Sequence, residues 1–210
     1  RVHAALVIGE SGIGKTRLIE RWLDGLQGQA VILRGHCREI HRQAAFHPIR
    51  EMLQGAAREY GVNALDELPN ALLAELTRLA PEIKNQRARL GAPVSLPPAQ
   101  ARERLIEALS RGLRAYAEER RPLVLFFDDL QWADNESLDW IAAFLRAREQ
   151  RPALLVASYR PDALAASVKM DARVHQLEAE SFHLDSLSKP ETVELVRGLG
   201  KLSDAPNRFA

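Results

Sequence analysis

The sequence has 210 residues, enough for one sizeable core and the start of a second unit. Its 29 Lys and Arg against 28 Asp and Glu leave a net charge of +1, so no field of either sign directs this segment to nucleic acid or to an anionic membrane. A lone cysteine, Cys37, excludes an internal disulfide framework and fits a reducing compartment, the cytoplasm, and no apolar run approaches the ~20 residues of a membrane span.

The chain opens at Arg1 with neither Met nor a signal-peptide pattern, which sets the expectation of a segment of a larger protein. Ala4 to Ile8 reads as a buried strand. It runs into Gly9-Glu10-Ser11-Gly12-Ile13-Gly14-Lys15-Thr16, a full G-x-x-x-x-G-K-[ST] phosphate-binding loop. Glycines permit the turns and the close backbone approach, successive amides form an anion cradle, Lys15 reaches the β- and γ-phosphates, and Thr16 ligates Mg²⁺. A helix from Lys15 to Leu26, with Leu18, Ile19, Trp22, Leu23 and Leu26 as its apolar stripe, points its positive end at the phosphates. The expected nucleotide contacts are therefore Gly9 to Thr16 together with Arg17.

Ala30 to Gly35 reads as a second strand, followed by a basic loop with His36, Cys37, Arg38, His41, Arg42 and His47. Histidine and cysteine are zinc-ligand types, but H-C-x3-H-x5-H matches no common zinc spacing and supplies one thiolate, so this is read as an ordinary loop. Ile49, Met52, Leu53, Ala56 and Ala57 then mark a helix. Leucines from Leu65 to Leu79 extend a helical core stripe, restarted at Pro69 and ended near Pro81. Residues 85–98 form a loop, and helical periodicity resumes from Ala99 to Glu119.

Leu123 to Phe127 is a continuous apolar run ending in Asp128-Asp129, the pattern of a strand buried on both faces. Ligands of open α/β sheets lie at the carboxyl ends of such strands. Asp128 is therefore placed for the Mg²⁺ shell and Asp129 to orient or deprotonate water. Asp134 or Asn135 suits the N-cap of the next helix, Ser137 to Arg148, and Trp132 is read as packing. Ala153 to Arg160 is a further strand, from whose end Arg160 can reach a γ-phosphate or form a surface ion pair; Pro161 starts a short helix. Phe182 to Leu184 reads as a last strand. Ser188, Pro190 and Glu191 then supply an N-cap, a first-turn proline and a capping-box acid for a helix closed by Gly200.

Over nearly all of its length the chain resembles the STAND class of signalling ATPases, in particular the AAA-like module of large bacterial transcription regulators with LuxR-type or SARP-type output domains. The carriers are Gly9 to Leu18, Gly35-His36-Cys37, Leu125 to Asp134, Ser158-Tyr159-Arg160 and Leu184 to Ser188. The resemblance implies a three-layer α/β P-loop NTPase of the ASCE type, with a parallel sheet in the order 5-1-4-3-2 and helices on both faces. The late helix opening at Ser188 sets the expected boundary: residues 1–187 are read as that core and 188–210 as the start of a helical lid. It makes Lys15, Asp128, Asp129 and Arg160 the catalytic set, with Thr16 and Asp128 holding Mg²⁺, Asp129 beside the attacking water and Arg160 sensing the γ-phosphate. Asp129 stands where AAA motors carry Glu, and one methylene less suits slow turnover. The implied family segments near the adenine, Gly-Arg-Glu-type and Gly-Asn-Pro-type, are expected ahead of Arg1 and beyond Ala210.

The function so implied is an ATP-binding, slowly hydrolysing switch, with ATP and Mg²⁺ as cofactors. Its implied partners are other domains of the same parent chain and a second copy on ATP binding, with no nucleic acid or membrane bound by this segment. A sensor that binds without hydrolysis, a P-loop kinase and an origin-recognition-like DNA-binding AAA protein stand as alternatives. No Asn-Lys-x-Asp motif reads guanine.

Overall fold

The computed structural model describes residues 2–85, 90–118, 121–147, 152–160, 176–177 and 179–203. Five strands, β1 (Val2–Ile8), β2 (Val31–His36), β3 (Leu123–Asp128), β4 (Ala153–Tyr159) and β5 (Glu180–His183), form one sheet. All pairings are parallel, and the order is 2-3-4-1-5, which is the expected 5-1-4-3-2 read from the other edge. This is the sheet order that the resemblance implies for a P-loop NTPase.

Alternation along the strands divides the core between two faces. Val7, Ile32, Val124, Phe126 and Val156 pack against Ile19 and Leu23 of α1 (Lys15–Asp24). Leu6, Val31, Leu33, Leu125, Phe127, Leu155 and Ala157 face the larger opposite layer. That layer contains α2 (His47–Glu59), α3 (Asn70–Leu76), α4 (Pro81–Asn85), α5 (Pro98–Ala115) and α6 (Asn135–Arg146). Fully buried Trp140 and Phe144 of α6 stack at 4.7 Å within it. The last helix, α7 (Lys189–Ser203), follows β5, and its described side chains are exposed.

Element boundaries move by a few residues from those expected, and two differences have identifiable causes. The leucine-rich stretch restarts at Pro69, the N-cap of α3, as expected, but does not run on to Pro81: a 3-10 turn at Asn63–Leu65 precedes it, α3 ends at Leu76, and Pro81 opens the separate α4. Leu65, Leu68, Leu72, Leu73 and Leu76 are nonetheless buried, as a core stripe requires.

In α1 the face on the sheet is Lys15, Ile19 and Leu23 at i, i+4, i+8, so Leu18 and Trp22 turn outward, 50% and 42% exposed. Gly200 does not close α7, which runs to Ser203. The helix expected to begin at Pro161 lies outside the described residues.

Candidate functional site

The phosphate loop lies between the C-terminal end of β1 and α1. Gly14, the N-cap of α1, has φ 104°, and Gly12 has φ 77°, values that L side chains rarely adopt. At Gly9 the constraint is space: a Cβ would lie 2.6 Å from the Leu184 carbonyl oxygen. Leu184 N–H in turn donates to Ile8 O (2.7 Å), so the segment leaving β5 is seated against the base of the loop. Lys15 is only 6% exposed, and its ammonium donates to Gly9 O (2.9 Å) and Glu10 O (2.6 Å), which hold it over the loop.

Parallel register brings the other expected residues to the same edge. Ile8 pairs with Tyr159, Val7 with Ser158, and Phe127 with Ala157, so the ends of β1, β3 and β4 are level. Thr16 Oγ1 donates to Asp128 Oδ1 at 2.8 Å across 112 residues of sequence. Ser158 Oγ, fully buried, donates to the same oxygen at 2.6 Å and accepts from Asp129 N–H at 2.7 Å.

Asp129 turns out of β3 in the left-handed region (φ 57°, ψ 50°) as N-cap of a 3-10 turn, Leu130–Trp132. Aspartate tolerates this conformation better than most residues, at a cost of order 1–3 kcal/mol that recurs at functional sites. Its Oδ1 accepts from Gln131 Nε2 (2.8 Å) and lies 3.9 Å from Arg160 Nε. Gln131 Oε1 accepts from Arg160 N–H at 3.1 Å. All four residues expected at the catalytic centre, Lys15, Asp128, Asp129 and Arg160, thus stand at one edge of the sheet or on the loop beside it.

The histidine and cysteine residues after β2 have separate partners. His36 Nδ1 lies 2.9 Å from Glu51 Oε1, and His41 and His47 stack at 3.9 Å. Cys37 is buried; burial first, then Asp134, Asp128, Asp129 and Glu51, pushes its thiol well above the ordinary range, so it packs as a protonated side chain.

Asp134 is the N-cap of α6, accepting from Ser137 N–H (2.8 Å) and Ser137 Oγ (2.6 Å). It also accepts from Phe46 N–H (2.9 Å) and His47 N–H (3.3 Å), so one buried carboxylate serves the amino ends of α6 and α2 together. Trp132, read as packing, is half-buried against the larger core.

These donors fit a magnesium nucleotide. No side chain caps Gly14 and no acid stands in the first turn of α1, which leaves the positive helix end open to an anion. The 2.8 Å separation of Thr16 Oγ1 and Asp128 Oδ1 is close to the ~3 Å edge of an octahedron with ligands at 2.1 Å, and both are hard oxygen donors.

The family model described as the AAA ATPase domain matches residues 1–156, which include the loop and both acids. The chain belongs to the AAA ATPase domain family. The match stops short of Ser158 and Arg160. Among solved structures, this AAA domain is similar to Cdc6p from Pyrobaculum aerophilum, with TM-score 0.53 and 16% identity over 96% of this chain and 44% of that one. It is also similar to the Orc1 protein of Aeropyrum pernix in complex with DNA, with TM-score 0.47 and 15% identity over 95% of this chain and 44% of that one. The AAA domain thus spans less than half the length of either protein. No curated protein matches it significantly. Among the described residues, no helix is long and apolar enough to cross a membrane.

Proposed function

We propose that this AAA domain binds MgATP and hydrolyses it slowly, its nucleotide state switching a larger signalling protein. The observation that carries the reading is the meeting of Thr16 and Asp128 at 2.8 Å beside the phosphate loop, because it joins a phosphate site to a hard-cation site. Lys15 and the amides of residues 9–17 hold the phosphates, and Thr16 and Asp128 hold Mg²⁺. Bound there, Mg²⁺ would supply charge neutralisation to the triphosphate. Asp129 orients and deprotonates the attacking water, and Arg160 reads the γ-phosphate. Catalysis of this kind is mostly positioning and charge stabilisation. The short Asp129 side chain, where a longer glutamate reaches farther, suits a switch more than a motor.

Residues 1–187 form the nucleotide-binding core and 188–210 begin a helical lid. The resemblance to STAND modules of LuxR- and SARP-type regulators supports transcription control as the output, with self-association on ATP binding. The charge balance of 29 against 28 supports leaving DNA contact to other parts of a longer protein. Direct duplex binding by this segment, measured by fluorescence anisotropy, would favour the origin-recognition alternative.

The deciding experiment pairs calorimetry with phosphate release. Lys15→Ala is expected to abolish MgATP binding, whereas Asp129→Asn keeps binding and loses turnover by on the order of 100-fold or more. Retained binding in the first variant would sink the phosphate-loop assignment. Unchanged turnover in the second would move water activation elsewhere, and wild-type protein that binds ATP without releasing phosphate is the non-hydrolysing sensor.

A further inference from the structure

Gln131 lies inside the motif that follows β3 yet has no part in the chemistry described so far. It is fully buried, two residues beyond Asp129 in the 3-10 turn that Trp132 N–H closes on Asp129 O at 2.9 Å. An amide is a donor and an acceptor at once, and both ends are used here. Nε2 donates to the Asp129 carboxylate at 2.8 Å, and Oε1 accepts from the Arg160 main chain at 3.1 Å. Asp129 and Arg160 come from different strands, β3 and β4. Their own direct contact is the long 3.9 Å approach of Arg160 Nε to Asp129 Oδ1. The short links between them run through Gln131.

We infer that Gln131 is a positioning residue that ties the Asp129 carboxylate to the Arg160 main chain, so that the water-orienting acid and the γ-phosphate-reading arginine move as one unit. This rests on the roles of Asp129 and Arg160 proposed above. Burial of the Gln131 amide stiffens its end of the tie, because Gln131 cannot exchange either partner for water without opening the turn. A shift of Arg160 on meeting a γ-phosphate is then passed to the carboxylate. Turnover depends on that engagement, and so does the share of ATP affinity that comes from Arg160 reading the γ-phosphate.

Two variants separate this role from packing. Gln131→Met keeps length and volume and loses both hydrogen bonds. Gln131→Glu keeps the acceptor toward Arg160 but replaces the donor to Asp129 with a second anion. Both are expected to lower kcat by on the order of 10- to 100-fold and, through weaker binding of ATP rather than of ADP, to bring the ATP-to-ADP affinity ratio toward one.

Wild-type kcat and an unchanged affinity ratio, accompanied only by a lower melting temperature, would overturn the proposal and leave Gln131 a packing residue. Should the wild-type protein release no phosphate, the hydrolytic reading fails on its own. The ATP-to-ADP ratio measured by calorimetry on the same variants then decides the tie: a ratio moved toward one supports it, and an unmoved ratio overturns it.

Discussion

Ser158 Oγ occupies the gap between two neighbouring acids, giving its proton to Asp128 and receiving the Asp129 amide proton. With the hydroxyl buried, truncation leaves an N–H and a carboxylate oxygen short of a partner, a cost of about 1–3 kcal/mol. Ser158→Ala is expected to lose stability of that order in urea unfolding. It should also raise the Mg²⁺ concentration needed for half-maximal ATP binding, since Asp128 is no longer held toward Thr16. An unaltered Mg²⁺ requirement would confine Ser158 to a structural role.

At the other end of the same cluster, Arg160→Ala is expected to bring the ATP-to-ADP affinity ratio close to one, and an unmoved ratio would count against the sensor. Lys15, Thr16 and Asp128 were legible because their residue types follow from the chemistry of a magnesium triphosphate at a known spacing. Ser158 and Gln131 lie within the motifs that carry the resemblance, but no chemical rule assigns their residue types a role there. The implied order 5-1-4-3-2 puts β4 beside β3, but only the register brings Ser158 level with Asp128, and only burial shows that the Gln131 amide is turned inward.

Elements carry a different kind of information. The loop from β2 into α2 is held by Asp134 at its far end and by the stacked His41 and His47 rings within it. Burial lowers the His47 pKa below its ordinary 6.5, and the neighbouring His41 and Arg50 lower it further. A depressed folded-state value means that the fold favours the neutral ring. Its contribution is therefore complete above pH 6.5 and is lost as pH falls through the lowered value. Amide exchange in the first turn of α2, corrected for intrinsic rates, is expected to speed up below pH 6.5, and a flat profile would rule out the histidine as its cause.

Periodicity found the strands and the capping box of α7, where Ser188 Oγ and N–H both donate to Glu191 at 2.6 and 2.8 Å. It placed the restart at Pro69 but missed the break between α3 and α4, because consecutive short helices bury the same residue types as one long helix. Nor could it orient α1. Leu18 and Ile19 look alike in sequence, and which of them meets the sheet depends on the rotation that Gly14 imposes on the helix start.

Across the whole molecule, the two halves of the expected switch differ in how they are attached. Core strands share buried residues on both faces of the sheet, whereas the described side chains of α7 are exposed, including Val193 at 48% and Val196 at 60%. The join between them is local: β5 pairs with β1 from Ala5 to Ile8, Leu184 donates to Ile8 O, and the Leu184 carbonyl lies against Gly9. Displacement of the helix at Ser188 would therefore be felt first at the base of the phosphate loop, and loop rearrangement on binding would be felt by the helix. If the core ends where the capping box begins, a chain stopped after Leu187 retains every one of those contacts. Its melting temperature is expected to stay within about 2 °C of the full chain, because exposed surface contributes little to stability. The thermal shift on adding MgATP should then report the lid separately. A drop of many degrees without nucleotide would place α7 in the core and move the boundary past residue 203.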